Sequence, residues 1–304
     1  MLDFLKEEGI SDALLRDIHS YRTAYPETSE SAAKAAPPRF LYYGHEVWEE
    51  ALTALLCGRN LLLVGSKATG KNVLCENLAA VFERPSWNLS FHINMDASYM
   101  IGSDTFENGQ VVFRPGPVYR CAKAGGFCVL DEINMARNEA LAVLHSVLDF
   151  RRMIEVPGYE RIEIHPAARF IATMNYGYAG TRDLNEALLS RFAVIRMPEI
   201  SETGLRKLLR REFPKLKPDY EAQFAGLFMD IEKKYQNGEI SSSLLDLRGL
   251  VDAIELMEKG LAPLSALDMG ITNKSFEDYE QKLLRDVIAA RIPKSASKAT
   301  IFSE

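Results

Sequence analysis

NLLLVGSKATGKNVLCENLAAVF, residues 60–82, decides the fold. Its first five residues form a continuous apolar run without polar alternation, the pattern of a strand buried on both faces of a parallel sheet. GSKATGKN (65–72) follows, with the spacing G-x-x-x-x-G-K, and a helical pattern begins directly after it. In that strand–turn–helix setting the glycines let backbone N–H groups wrap a polyphosphate, and the helix N-terminus adds positive partial charge. Lys71 is the point charge for the β- and γ-phosphates. Gly65, Ser66, Lys67, Ala68, Thr69, Gly70, Lys71, Asn72 and Val73 are therefore the candidate nucleotide-binding residues. One position departs from the motif: a Ser or Thr hydroxyl that would ligate Mg²⁺ is replaced by Asn72. An amide oxygen also ligates hard cations, but the longer side chain changes the geometry, and weak Mg²⁺ binding or slow hydrolysis follows as an open alternative.

Working outward, four more apolar runs alternate with helical segments: FHIN (91–94), FCVLDE (127–132), RFIATMN (169–175) and AVIRMP (193–198). The alternation predicts a βαβ architecture with a five-stranded parallel sheet and helices on both faces. FCVLDE ends in two carboxylates at the edge of the sheet where ligands bind. Asp131, with Asn72, is the candidate Mg²⁺ holder, acting through water, and Glu132 is the candidate general base for an attacking water. Asn175 ends the next strand and either orients that water or makes a strand-end turn. Arg191, in NEALLSRF (185–192), either pairs locally with Glu186 or Glu199 or reaches a neighbouring subunit's phosphate as an arginine finger. Two segments interrupt the rhythm as β-hairpin insertions, DTFENGQVVF (104–113) around Asn108-Gly109 and MIEVPGYERIEIH (153–165) around Pro157-Gly158. After Pro198 the chain turns helical and charged, predicting a small all-helical domain.

The rest of the sequence mainly excludes. The 304 residues carry 36 Lys+Arg against 42 Asp+Glu, a formal charge of −6, which gives no basic field for nucleic acid. No apolar run reaches the ~20 residues needed to insert across a membrane, and the acidic, amphipathic N-terminus is not a secretory signal. Cys57, Cys75, Cys121 and Cys128 lack metal spacing and read as buried free thiols of a reducing, cytoplasmic setting. His45-Glu46 lacks the second histidine of a zinc-protease helix, and the basic LRKLLRRE (205–212) reads as a solvated helix face. Trp48 lies before the first strand, where it serves either an adenine pocket or the core. The expected boundaries are an N-terminal helical element and linker over 1–39, a nucleotide-binding α/β domain over 40–199, a helical lid over 200–292 and a frayed tail over 293–304.

Strand–GxxxxGK–helix, LDE, ATMN and LLSRF in this order resemble an AAA+ ATPase. FRPGPVYRCAKAGGFCVLDEINMARNEALAVLHSVLDFRR (113–152) and NYGYAGTRDLNEALLSRF (175–192) narrow the resemblance to the MoxR group, near its CbbQ/NirQ/NorQ branch. The resemblance spans about residues 40–260. It implies that Gly65 to Lys71 are Walker A, Asp131-Glu132 Walker B, Asn175 sensor 1 and Arg191 the arginine finger. Arg248, in SSSLLDLRGL (241–250), resembles sensor 2, with a salt bridge to Asp246 or Asp252 as the alternative. The two hairpins match the helix-2 insert and the pre-sensor-1 hairpin. The resemblance further implies ATP and Mg²⁺ as cofactors, self-association into a ring, usually a hexamer, and a remodelling chaperone. Its protein client would be reached through a von Willebrand A-domain adaptor. A nucleotide-gated scaffold with little turnover is the alternative that Asn72 raises.

Overall fold

The computed structural model describes residues 1–26, 37–156, 159–176 and 182–303. Two compact units result, one of residues 1–66 with 70–198, the other of residues 67–69 with 199–304.

In the first unit β1 (Asn60–Val64), β2 (Ser86–Ser90), β5 (Phe127–Asp131), β8 (Arg169–Met174) and β9 (Phe192–Arg196) form the expected parallel sheet. Its spatial order is β2-β5-β8-β1-β9. The three interior strands are buried almost throughout, which explains their unbroken apolar runs. The edge strand β2 is different. It comprises SWNLS rather than the expected FHIN, which lies just beyond it, because a strand at the edge is only partly covered and its burial is broken by exposed positions. Continuous hydrophobicity is the wrong signal there.

The N-terminal helices Leu2–Glu7 and Asp12–Ala24 are not a separate element. Phe4, Leu5, Ile10 and Ile18 are buried in one core with Trp48, Leu52, Leu74 and Phe82. The Tyr21 hydroxyl donates to the Ala167 carbonyl at 2.8 Å, and Arg22 donates to the Val81 carbonyl. Apolar residues at helical spacing need a surface to cover, and here it is the flank of the sheet domain. Residues 27–36, within the expected helical element and linker over 1–39, lie outside the described residues. Trp48 is fully buried with its indole N–H on the Tyr42 carbonyl at 2.9 Å, which assigns it to the core. Cys75, Cys121 and Cys128 are buried, but Cys57, the residue that ends the helix His45–Leu56, is exposed, contrary to expectation.

The first insertion is a hairpin of β3 (Gly102–Glu107) and β4 (Gln110–Pro115), paired antiparallel. Asn108 (φ 51°) and Gly109 (φ 83°) both take the left-handed conformation that a two-residue hairpin turn needs. Phe106 and Val111 on it are 73% and 63% exposed. The second insertion pairs β6 (Met153–Glu155) with β7 (Arg161–Glu163); its predicted turn at Pro157-Gly158 lies outside the described residues. A bond of 2.6 Å from the Tyr159 hydroxyl to Asp104 Oδ1 ties the hairpins together.

The second unit is all-helical, with Glu202–Glu212, Pro218–Gln236, Leu247–Lys259, Pro263–Gly270 and Asp278–Arg291 as its main helices. Ser201 and Asp246 cap two of them by accepting from the N–H groups of Gly204 and Gly249. The basic stripe on Glu202–Glu212 is more than a solvated face, since Arg206 and Arg210 both bond Glu221, which is 1% exposed. The tail is packed rather than frayed. Ile301 and Phe302 are buried, Lys217 N–H donates to the Ile301 carbonyl at 3.0 Å, and Ser303 N–H donates to the Lys215 carbonyl at 2.8 Å.

Candidate nucleotide site

The loop after β1 follows from its sequence. Ala68 (φ 63°) and Gly70 (φ 79°) take left-handed conformations that fold residues 65–70 back toward the start of the helix Lys71–Val81. At Gly70 any Cβ would stand 3.0 Å from the Tyr42 ring. Tyr42 is held in turn by Asn77, whose Oδ1 accepts from Tyr42 N–H and whose amide donates to the Phe40 carbonyl. Lys71 is 8% exposed, and its Nζ donates to the carbonyls of Gly65 (3.0 Å) and Ser66 (2.7 Å). Burial lowers its pKa to about 8, against the opposing pull of Asp131 and Glu132. A lysine curled onto its own loop is a cation kept ready for a stronger anionic partner.

β5 and β8 lie side by side, so their carboxyl ends bring Asp131, Glu132, Thr173 and Asn175 together. Asn175 Nδ2 donates to Glu132 Oε1 at 2.9 Å. Asn72 Nδ2 donates to Asp131 Oδ2 at 3.2 Å, which joins the phosphate loop to the second strand end. Asp131 Oδ1 accepts from the Thr173 hydroxyl at 2.6 Å. Glu132 itself sits at φ 55°, left-handed and uncommon for a non-glycine residue. Lys71, Asn72, Asp131, Glu132 and Asn175, singled out separately in the sequence, thus form one connected cluster.

Two members of the cluster carry no motif signal. Thr173 sits inside the apolar run RFIATMN; the clue was that it precedes Asn175 by two residues and so shares its face of the strand. Asn134, 2% exposed, donates through Nδ2 to the Asn175 carbonyl at 2.8 Å and fixes the backbone there. Its Oδ1 has no partner among the described residues.

Each candidate arginine is placed within its own unit. Arg191 donates through Nε to the His145 carbonyl at 3.2 Å and through Nη1 to Ala187, bracing a helix end rather than pairing with Glu186 or Glu199. Arg248 is exposed in the first turn of Leu247–Lys259, and its neighbour Asp246 bonds Lys274 instead. Among the described residues no group of three or more His, Cys, Asp or Glu could hold a metal ion, and no helix is long and apolar enough to cross a membrane.

A phosphate loop after the interior strand β1, facing an acidic strand end and a polar amide, defines a P-loop nucleotide-binding protein of α/β class. More particularly, the chain carries an AAA domain: the AAA domain (dynein-related subfamily) matches residues 60–192. AAA domains bind nucleotide, typically ATP with Mg²⁺, and AAA+ proteins commonly assemble into rings. The uncharacterized protein YojN of Bacillus subtilis is 35% identical over 243 residues, covering 78% of this chain and 80% of its own. The uncharacterized protein SSP1341 of Staphylococcus saprophyticus is 32% identical over 250 residues, covering 80% and 94%. A crystallised Cytophaga hutchinsonii protein, classed provisionally as an ATPase, overlays with a TM-score of 0.44 at 15% identity, covering 92% of this chain and 88% of its own.

Proposed function

We propose that this chain is an ATP-hydrolysing AAA+ subunit of the MoxR type, near the CbbQ/NirQ/NorQ branch, that remodels a protein client. The observation that carries this reading is the bond between Asn175 and Glu132 beside the linked Asn72–Asp131 pair. With Oε1 held by Asn175, the carboxylate of Glu132 is oriented and its other oxygen can take a proton from water. The residues fit a divalent cation once the amide turns: Asn72 now presents its N–H to Asp131 Oδ2, and turning it over would free that carboxylate oxygen and bring in the amide oxygen, a hard-ligand pair. Mg²⁺, when bound there, supplies charge to offset that of the terminal phosphates. Lys71 moves its ammonium from the loop carbonyls onto the phosphates, and the N–H groups of residues 65–73 enclose them.

Arg191 in trans would leave the carbonyls of His145 and Ala187 to complete a neighbour's site, which requires ring assembly. Arg248 would act as sensor 2. The exposed Phe106 and Val111 support contact with a client through the β3–β4 hairpin, and a von Willebrand A-domain protein is the expected adaptor. The test is Mg²⁺-dependent phosphate release. Wild type should turn over and Glu132→Gln should not; equal rates would end the proposal. Light scattering with ATP should show a ring, and a persistent monomer would remove the role of Arg191 in trans.

A second reading, a nucleotide-gated scaffold with little turnover, is favoured by the same Asn72 amide, which occupies Asp131 Oδ2. Asn72→Thr separates the two. Under the ATPase reading its rate is unchanged or higher than wild type; under the scaffold reading turnover first emerges in this variant.

A further inference from the structure

Thr173 is fully buried, and its hydroxyl makes two bonds of different kinds. It donates to Asp131 Oδ1 at 2.6 Å and accepts from the backbone N–H of Glu132 at 3.0 Å. A hydroxyl has one proton and two lone pairs, so a single atom fixes the side chain of one acidic residue and the main chain of the next. The second bond falls where the backbone needs it. Glu132 takes the left-handed conformation (φ 55°, ψ 44°), a departure that persists only when its surroundings enforce it. The turn carries the Glu132 side chain off the strand to meet Asn175, and the Thr173 oxygen anchors the amide at that turn.

On the Asp131 side the same hydroxyl fixes the carboxylate orientation. With Oδ1 on Thr173 and Oδ2 on Asn72, the carboxylate is gripped from β8 and from the phosphate-loop helix at once. Rotation about its terminal bond would break both contacts. We infer that Thr173 is a positioning residue that sets the Asp131 carboxylate and the Glu132 turn through one hydroxyl, so that the cation-holding and proton-accepting groups keep a fixed relation. This rests on the nucleotide-site reading proposed above. A threonine that merely fills the core would contribute stability and nothing to the response to Mg²⁺.

The experiment compares wild type with Thr173→Val, which keeps the shape and removes the hydroxyl, and Thr173→Ser, which keeps the hydroxyl. Fluorescent N-methylanthraniloyl-ATP is titrated with and without Mg²⁺, and exchange of the Glu132 amide hydrogen is followed by NMR in the absence of nucleotide. In Thr173→Val, metal-free affinity should stay within about twofold of wild type. Its Mg²⁺-dependent gain in affinity should fall by roughly tenfold or more, as expected for losing a hydrogen bond to a charged group, and Glu132 amide exchange should accelerate by a similar factor. Thr173→Ser should restore both. If the valine variant does not fold, Thr173→Cys, of like size with only a weak S–H donor, carries the same expectation. An unaltered Mg²⁺ response, or a Glu132 amide as protected as in wild type, overturns the inference. If wild type binds no nucleotide, the nucleotide-site reading fails, and the amide exchange still decides whether Thr173 holds the turn.

Discussion

At the carboxyl ends of β5 and β8, carboxylates, amides and one hydroxyl bond one another, while a lysine curls onto carbonyls of its own loop. At the opposite end of the same two strands, two buried arginines, Arg84 and Arg169, spend their hydrogen bonds on main-chain carbonyls. Arg84 donates to the carbonyls of Gly125 (2.8 Å), Ala124 (2.8 Å), Tyr25 (3.1 Å) and Pro26 (3.1 Å). Arg169, the first residue of β8, donates to those of Leu55 (2.7 Å) and Pro166 (2.6 Å), and burial lowers its pKa. The arginine end fills donors with carbonyls from several distant segments and so locks the chain course, N-terminal helices included. The carboxylate end holds its charged groups by contacts that an anionic ligand and a cation can exchange for stronger ones. One sheet thus carries its rigidity at one end and its proposed chemistry at the other.

The sharpest way to break this division is Glu132→Gln, which should cut phosphate release by about 10²–10⁴-fold, the usual contribution of a positioned general base, with the melting temperature nearly unchanged. Arg84→Ala should do the reverse. It removes the partner of four carbonyls, that of Gly125 in a buried bond, and should cost about 3–5 kcal/mol, read as a fall of roughly 10 °C in melting temperature for a unit of this size. Turnover per folded molecule should stay at the wild-type value. A thermally normal Arg84→Ala, or one inactive while folded, would erase the contrast.

Smaller effects come from titration. In the proposed site the protonated Lys71 takes the phosphates, so binding should raise its pKa above the value of about 8 that burial gives it. ATP affinity should be level below that pH and decline by up to about tenfold per unit above it, with proton uptake. Calorimetry in buffers of different ionisation enthalpy measures this, and a flat affinity up to pH 9.5 would contradict it.

The smallest effect belongs to the helical unit, where burial and the nearby Glu199 raise the Glu232 pKa from 4.5 to about 7. The folded form therefore binds the proton more tightly than the unfolded chain. The stability this contributes is fully present below pH 4.5 and lost as pH rises through 7. Glu232→Gln should flatten the pH dependence of melting between pH 5 and 8, by on the order of 1–3 kcal/mol; an unchanged slope would remove Glu232 as its source.

The gathering of residues at the carboxylate end was largely legible in the sequence because they sit in rare patterns. A G-x-x-x-x-G-K turn after an apolar strand and an acidic pair closing another have few other readings, and Lys71, Asn72, Asp131, Glu132 and Asn175 do converge. Thr173 was hidden because a threonine inside RFIATMN looks like strand filler. The arginine end was illegible for a different reason: bonds from Arg84 to carbonyls of distant residues leave no trace in composition. That blindness made residues 1–39 look detachable and residues 293–304 look frayed. In both places a few apolar side chains, Leu5 and Ile18 or Ile301 and Phe302, pack onto surfaces contributed by remote segments. β2 was displaced because an edge strand shows neither the unbroken hydrophobicity of its neighbours nor a turn signal of its own.

The most direct test is the identity of the nucleotide retained after incubation with ATP and Mg²⁺ and rapid removal of free ligand. Wild type should carry mainly ADP, and Glu132→Gln should carry mainly intact ATP at similar occupancy. Intact ATP on both proteins, or none on either, would contradict the assignment of Glu132 as the base of an ATP-hydrolysing site.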